Sequence, residues 1–313
     1  RKFFYMRLVV ALGGNALGNT PDEQKSLVKS TAKALADLIE QGHSLVVTHG
    51  NGPQVGMINT AFEIASKSAE KTPLMPFPEC GAMSQGYIGF HLQNAIQTEL
   101  TRRGISKPVV SVVTQVVVDK TDPGFLHPTK PIGTFCDREK AALLEKNGYV
   151  MKDFGAQGFR RVVASPKPLD IVEKGAVKTL LDNGCVVITV GGGGIPVVKE
   201  GNATEGVAAV IDKDFASALV AQLINADTLV ILTAVDKVAA DFGKPTQRNI
   251  DVLTAAEAER LINEEQFGKG SMLPKVQAAL SFVKSGKGRQ AIIANLDKAE
   301  QAVKGQSGTK ILD

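Results

Sequence analysis

The chain has 313 residues, of which 43% are hydrophobic and 22% charged; 36 Lys plus Arg against 32 Asp plus Glu give a net charge of +4. It is long enough to bury a large core, at a size where one core begins to divide into two lobes. The small, interspersed charge excess leaves neither a basic stripe for nucleic acid nor a polybasic patch for a membrane, and the composition excludes a disordered, collagen-like or disulfide-stapled chain.

At the N-terminus, Arg1 and Lys2 precede an apolar stretch that Arg7 interrupts, and the run from Leu8 to Leu12 stops at Gly13. That run is too short for the core of a signal peptide, and nothing approaches the ~18 apolar residues of a membrane helix. Cys80, Cys136 and Cys185 are widely separated and form no CxxC pair. This argues against a disulfide framework or a thiol zinc site and for a reducing compartment, so a cytoplasmic location is expected.

Residues 7–12, 44–49, 108–118, 185–190, 228–235 and 289–294 read as buried strands, because each is a nearly continuous apolar, β-branched run. Thr20-Pro21 caps a helix that keeps its period to Ile39 and stops at Gly42. Further helices are expected over 82–103, 170–183 and 215–225, from the capping box Thr254-Ala255-Ala256-Glu257, and over 274–285. Strands alternating with helices imply a largely parallel sheet covered on both faces, an α/β fold of three α/β/α layers. Residues 119–168, rich in proline and charge, break the rhythm and read as an inserted, protruding lid.

Three glycine clusters each follow an expected strand: Gly13-Gly14-Asn15-Ala16-Leu17-Gly18, Gly50-Asn51-Gly52 running on to Gly56, and Gly191-Gly192-Gly193-Gly194. Each alone reads as a turn. Three at the carboxyl ends of parallel strands, where such folds bind ligands, point to backbone cradles for an anion. The standard nucleotide motifs fit badly. Asn19 stands where a P-loop would have its lysine, and the Gly50, Gly52, Gly56 spacing is one residue too long for a dinucleotide fingerprint. Two lysines stand at helix starts, Lys213 beside Asp214 and Lys275 just after Pro274. There the helix dipole opposes a cation, so each is either a solvated surface lysine or a group compensated by an anion or an Asp. His49, beside a glycine loop, reads as structural and not as a base.

These residues, with Cys80-Gly81-Ala82-Met83-Ser84-Gln85-Gly86, Pro128-Thr129-Lys130-Pro131-Ile132-Gly133, Arg160-Arg161-Val162-Val163, Ile211-Asp212-Lys213-Asp214 and Gly270-Ser271-Met272, occur in an order that resembles carbamate kinase, of the amino-acid kinase superfamily. The resemblance runs from about Arg7 to the last strand. It implies a homodimer with one sandwich shared by two lobes: about 7–200, holding carbamate or carbamoyl phosphate and carrying the lid at about 119–168, and about 201–313, holding ATP or ADP with Mg²⁺. It implies that Lys213 and Lys275 contact the transferring phosphoryl group with Asp214 as organiser, and that Lys130 reaches the carbamoyl phosphate from the lid. Gly13, Gly14, Asn15, Gly50, Asn51, Gly52, Gly191 and Gly192 would cradle the acceptor. Ala234, Val235, Asp236, Met272 and Pro274, together with Lys275, would line the nucleotide site, and no protein metal ligand is implied. The helices around 56–64 and 82–100 would form the dimer surface.

The resemblance has departures. Phe159 stands in place of Trp, Leu273 in place of a small glycine, and Ala239 where an aromatic is usual, all of which bear on nucleotide affinity. Carbamate is already an anion, so its attack needs no general base, which suits a chain without a nucleophile triad. The alternatives are a kinase of a larger carboxylate such as acetylglutamate, and a non-catalytic nucleotide-binding regulator on the same fold.

Overall fold

A computed structural model describes residues 5–18, 20–69 and 71–313; Asn19 and the side chain of Asn15 lie outside the described residues. The apolar runs of the sequence become one eight-stranded sheet. Its order is β15 (Val252–Thr254), β17 (Thr309–Leu312), β16 (Gln290–Asn295), β12 (Thr228–Thr233), β1 (Arg7–Leu12), β2 (Ser44–His49), β9 (Val186–Ile188) and β3 (Val109–Ser111). Every neighbouring pair is parallel except β16 with β17.

Successive residues of a strand face opposite ways, so a sheet buried on both faces needs apolar residues at every position. In β1, Val9 and Ala11 join one core while Leu8, Val10 and Leu12 join the other. The first core is closed by α5 (Lys174–Asp182), α6 (Lys213–Leu223), α7 (Ala255–Asn263) and α8 (Met272–Val283). The second is closed by α1 (Pro21–Glu40), α3 (Phe77–Arg102) and α9 (Ala299–Val303). This is the expected three-layer sandwich.

The bounds of β1 and β2 agree with the sequence, and so does the cap of α1. Thr20 Oγ1 accepts from the Glu23 amide at 3.2 Å while the Glu23 carboxylate accepts from the Thr20 amide, a complete capping box. Four expectations need correction. The run 108–118 is two strands in two sheets, β3 and β4 (Gln115–Val118), because the chain turns between them at Thr114, which bonds the Gln85 side chain. The helix expected from 170 starts at Lys174, since Pro168–Ile171 pairs antiparallel with β4 as β8. Helix α3 begins at Phe77, where Pro78 is tolerated in the first turn, and α8 begins at Met272. Finally, α2 (Gly52–Lys67) starts four residues before the helix expected around 56–64, taking Gly52 and Pro53 into its first turn.

Two further strands, β10 (Ile195–Glu200) and β11 (Ala203–Gly206), complete a four-stranded sheet with β4 and β8. Between β4 and β8 the chain forms a separate antiparallel sheet of β5 (Lys130–Cys136), β7 (Phe159–Val163) and β6 (Val150–Asp153), with α4 (Arg138–Lys146). This small sheet rests on α2 where two glycines meet: a Cβ on Gly56 would come within 2.2 Å of the Gly133 amide nitrogen. A short ribbon of β13 (Ala239–Ala240) and β14 (Arg248–Asn249) flanks the first core. Among the described residues, no helix is long and apolar enough to cross a membrane.

Candidate active site

The carboxyl ends of β1, β2 and β12 open on the same edge of the sheet, and the segment after β9 folds across it. There Val190, Gly192, Gly193 and Gly194 all have positive φ, a backbone that side chains resist. Close packing fixes this tract as well. A Cβ on Gly192 would fall 2.1 Å from Asn51 Nδ2, and one on Gly193 would fall 2.2 Å from the Ile211 carbonyl oxygen. The second and third glycine clusters are therefore in contact, and both abut the segment leading into α6.

Side chains from α3 hold them. Asn51 Nδ2 donates to Ser84 Oγ at 2.9 Å, and Gln85 Nε2 donates to the carbonyls of Gly191 and Thr114 at 3.0 and 3.1 Å. His49 is buried and packs its Nε2 against Gly191, while its Nδ1 lies 2.9 Å from the Gly50 carbonyl. Burial pushes its pKa down to about 4 and the Lys213 charge adds to this, against the hydrogen bond to Gly50. The ring is thus neutral at pH 7, with Nδ1–H donating to the Gly50 carbonyl.

The cations gather at the start of α6. Asp214 accepts from Lys213 Nζ at 2.8 Å on one oxygen and from Lys275 Nζ at 2.9 Å on the other, with side chains only 4%, 12% and 15% exposed. Burial works against ionising Asp214, but the two ammonium groups outweigh it and hold the carboxyl well below the usual range. Burial likewise lowers the Lys213 pKa, against the raising influence of Asp214. The two helix-start lysines are therefore not solvated, because an Asp compensates both. Ser217 Oγ donates to the Lys213 carbonyl and contacts Thr48 Oγ1 at 2.6 Å, tying α6 to β2. Lys213 also runs alongside the second cluster, its Cδ 3.4 Å from where a Gly50 Cβ would sit.

Lys130, at the start of β5, donates to Asp212 Oδ2 at 2.6 Å. The other Asp212 oxygen accepts from the Asp214 amide at 2.8 Å, which caps α6. Asp212 had no assigned role in the sequence reading, although it lies in the Ile211–Asp214 motif. Its signal was its position before two charged residues at a helix start.

The first cluster is on the same edge but holds less. The Gly13 amide donates to the Leu232 carbonyl at 3.0 Å, and Gly14 is exposed with nothing within 4 Å of an added Cβ. On the far side of Lys275, a pocket of about 170 Å³ is lined by Val235, Met272 and Lys275, with Thr233, Lys237 and Phe242 among residues given no site role from sequence. Ala234 instead offers its carbonyl to Asn295, Asp236 pairs with Lys298 at 2.6 Å, and Pro274 is in the first turn of α8 outside the lining. Leu273 packs on the first core and does not line the pocket. Ala239 lines the pocket, and the exposed ring of Phe242 supplies an aromatic wall three residues later. Phe159, on β7, lies under the Arg138 guanidinium, 5.0 Å from ring centroid to Cζ. Fixed cations between a glycine-lined cradle and an apolar pocket can hold two anions face to face and stabilise charge passing between them.

The amino acid kinase family model matches residues 6–295. The carbamate kinase-like protein YqeA of Escherichia coli is 57% identical over 305 residues, covering 97% of this chain and 98% of that protein. A carbamate kinase of Clostridium perfringens is 53% identical over 98% of this chain and 100% of its own length. Among solved structures, carbamate kinase from Giardia lamblia bound to AMP-PNP superposes with a TM-score of 0.89 at 38% identity, covering 99% of each chain. The chain belongs to the amino acid kinase family, and within it to the carbamate kinases.

Proposed function

We propose that the protein is a carbamate kinase, transferring a phosphoryl group reversibly between ATP and carbamate, so that carbamoyl phosphate and ADP give ATP. The observation that carries the reading is the Lys213–Asp214–Lys275 constellation, buried between the Gly50–Gly52 and Gly191–Gly192 cradle and the Val235–Met272 pocket. In this reading residues 7–200 bind the acceptor, residues 201–313 bind the nucleotide, and residues 119–168 form the lid that brings Lys130 to carbamoyl phosphate. The cradle comprises Gly13, Gly14, Asn15, Gly50, Asn51, Gly52, Gly191 and Gly192. Ala234, Val235, Asp236, Met272, Pro274 and Lys275 serve the nucleotide.

An anionic acceptor meeting a polyanionic donor faces repulsion, and no proton must first be removed. Lys213 and Lys275, oriented by one carboxylate, supply opposing charge at the phosphoryl oxygens. No covalent intermediate is needed. Mg²⁺ fits as an ion carried in by the nucleotide phosphates: among the described residues there is no group of three or more potential ligands, and both Asp214 oxygens are engaged by lysines. When bound it supplies further charge neutralisation.

A homodimer through α2 and α3 is supported by Ile64 and Phe90, large apolar side chains left 65% and 60% exposed on those helices. Three free cysteines suit the reducing cytoplasm. The test is ATP formation from MgADP and carbamoyl phosphate by the purified protein. Nucleotide binding without ATP formation would favour a regulator, and phosphorylation of acetylglutamate would favour the larger acceptor.

A further inference from the structure

Arg160 and Arg161 are consecutive on β7, so their side chains leave opposite faces of the small sheet. Arg161 is fully engaged. It donates from Nη1 to Asn59 Oδ1 at 2.8 Å, stacks on Tyr149 at 4.0 Å, and lies in the field of Glu63. Arg160 is different. Its Nε donates to the carbonyls of Gly133 and Ile132 at 2.9 and 3.3 Å, and its guanidinium lies 5.1 Å from the Phe135 ring centroid. Among the described residues no carboxylate pairs with it, although it is partly buried and burial lowers its pKa.

What it faces is the acceptor loop. One Nη of Arg160 lies 3.7 Å from where a Cβ on Gly52 would sit, and the Pro131 carbonyl lies 3.3 Å from the same point. Gly52 begins α2, so the positive end of that helix faces the same space. Lys130 adjoins Pro131, and Lys213 flanks Gly50. A partly buried guanidinium with no acid partner is unfavourable unless a ligand brings the negative charge. With Nε tethered to backbone, the two Nη groups form a planar edge suited to two oxygens of one anion.

We infer that Arg160 is a substrate-binding residue for the acceptor, gripping the anionic oxygens of carbamate or carbamoyl phosphate from the small sheet, opposite Lys213. The inference rests on the carbamate kinase reading for the identity of that anion. It separates the two arginines of the motif into one that binds substrate and one that anchors the sheet to α2.

The test compares wild type, Arg160→Gln and Arg160→Lys in ATP synthesis, and titrates each with inorganic phosphate by calorimetry at fixed ionic strength. We expect kcat/KM for carbamoyl phosphate to fall roughly 100-fold in Arg160→Gln. The KM for ADP should stay within about twofold, phosphate affinity should fall in parallel, and Arg160→Lys should recover part of both. Unchanged carbamoyl phosphate kinetics and phosphate affinity in Arg160→Gln would overturn the inference. So would a loss shared equally with ADP, which marks a structural role. Should Arg160→Gln not fold, the same comparison is read from Arg160→Lys, which keeps the charge but changes the geometry. A wild type that binds phosphate through Arg160 yet makes no ATP would refute the carbamate kinase reading while leaving the anion site standing.

Discussion

Replacing Asp214 with Asn keeps the shape of the side chain and removes one charge from a nearly dry triad. Each Lys Nζ lies 2.8–2.9 Å from a carboxylate oxygen. At an effective dielectric constant of ~20, each contact represents roughly 6 kcal/mol of gross attraction. Desolvation offsets much of this, so breaking the buried triad should cost about 3–5 kcal/mol of stability. An Asn can accept from one lysine through Oδ1, but its Nδ2 then faces the other ammonium, which loses its bond. Turnover should fall by roughly two to three orders of magnitude, the scale of losing aligned charge at the transition state. The variant also carries a pH signature. Burial already lowers the Lys213 pKa and Asp214 opposes it, so without the carboxylate Lys213 deprotonates at lower pH and the alkaline limb of kcat moves down. Urea unfolding and ATP formation from MgADP and carbamoyl phosphate across pH 6–10 read the two effects (about the span between His and Lys titration). An Asp214→Asn protein with wild-type stability and an unmoved alkaline limb would refute the reasoning.

Lys275→Ala should lower kcat by roughly 100- to 1000-fold in the same assay while leaving the melting profile recognisably cooperative; near-normal turnover would remove Lys275 from the transfer centre. Asp212→Asn keeps an oxygen to cap α6 but loses the ion pair to Lys130. It should therefore raise the KM for carbamoyl phosphate about tenfold, whereas Asp212→Ala should lose about 1 kcal/mol of stability as well. His49 titrates near 4 when folded and near 6.5 when unfolded. Between those values the unfolded chain binds a proton that the native one does not, so stability falls as pH drops through that window, by up to about 3 kcal/mol. Denaturant midpoints from pH 7 to 4 should flatten in His49→Gln; an unchanged slope would show that another group governs it.

The parallel strands were legible because burial on both faces demands unbroken apolar runs, which β1, β2 and β16 display. Residues 108–118 misled because the apolar run continues across a change of sheet marked only by the scattered polar residues Ser111, Thr114 and Gln115. The first turn of α2 was hidden because Gly52 and Pro53 read locally as a turn, while Gly52 and Gly56 admit close neighbours in the folded chain. Lys213 and Lys275 stood out because cations are unfavourable at helix starts, and the structure supplies the compensating Asp214. Asp212 did not, since an Asp at an N-cap is ordinary and its partner lies 82 residues away. Two adjacent arginines are equivalent in sequence, and only the pairing of β7 with β5 separates their environments. The aromatic missing at 239 was a fair local reading, but the pocket takes Phe242 from the following turn instead.

The bare contact between Gly56 and Gly133 seats the small sheet on α2 through two side-chain-free backbones. Lys130 lies three residues before that contact on β5, and Arg160 bonds the Gly133 carbonyl directly, so the placement of both cations is tied to it. A single methyl group added at position 56 would have to displace the Gly133 backbone, and with it the segment that carries both cations. Under the proposed function, affinity for the acceptor would then depend on a helix position outside the proposed cradle, and the close backbone approach restricts that position to glycine.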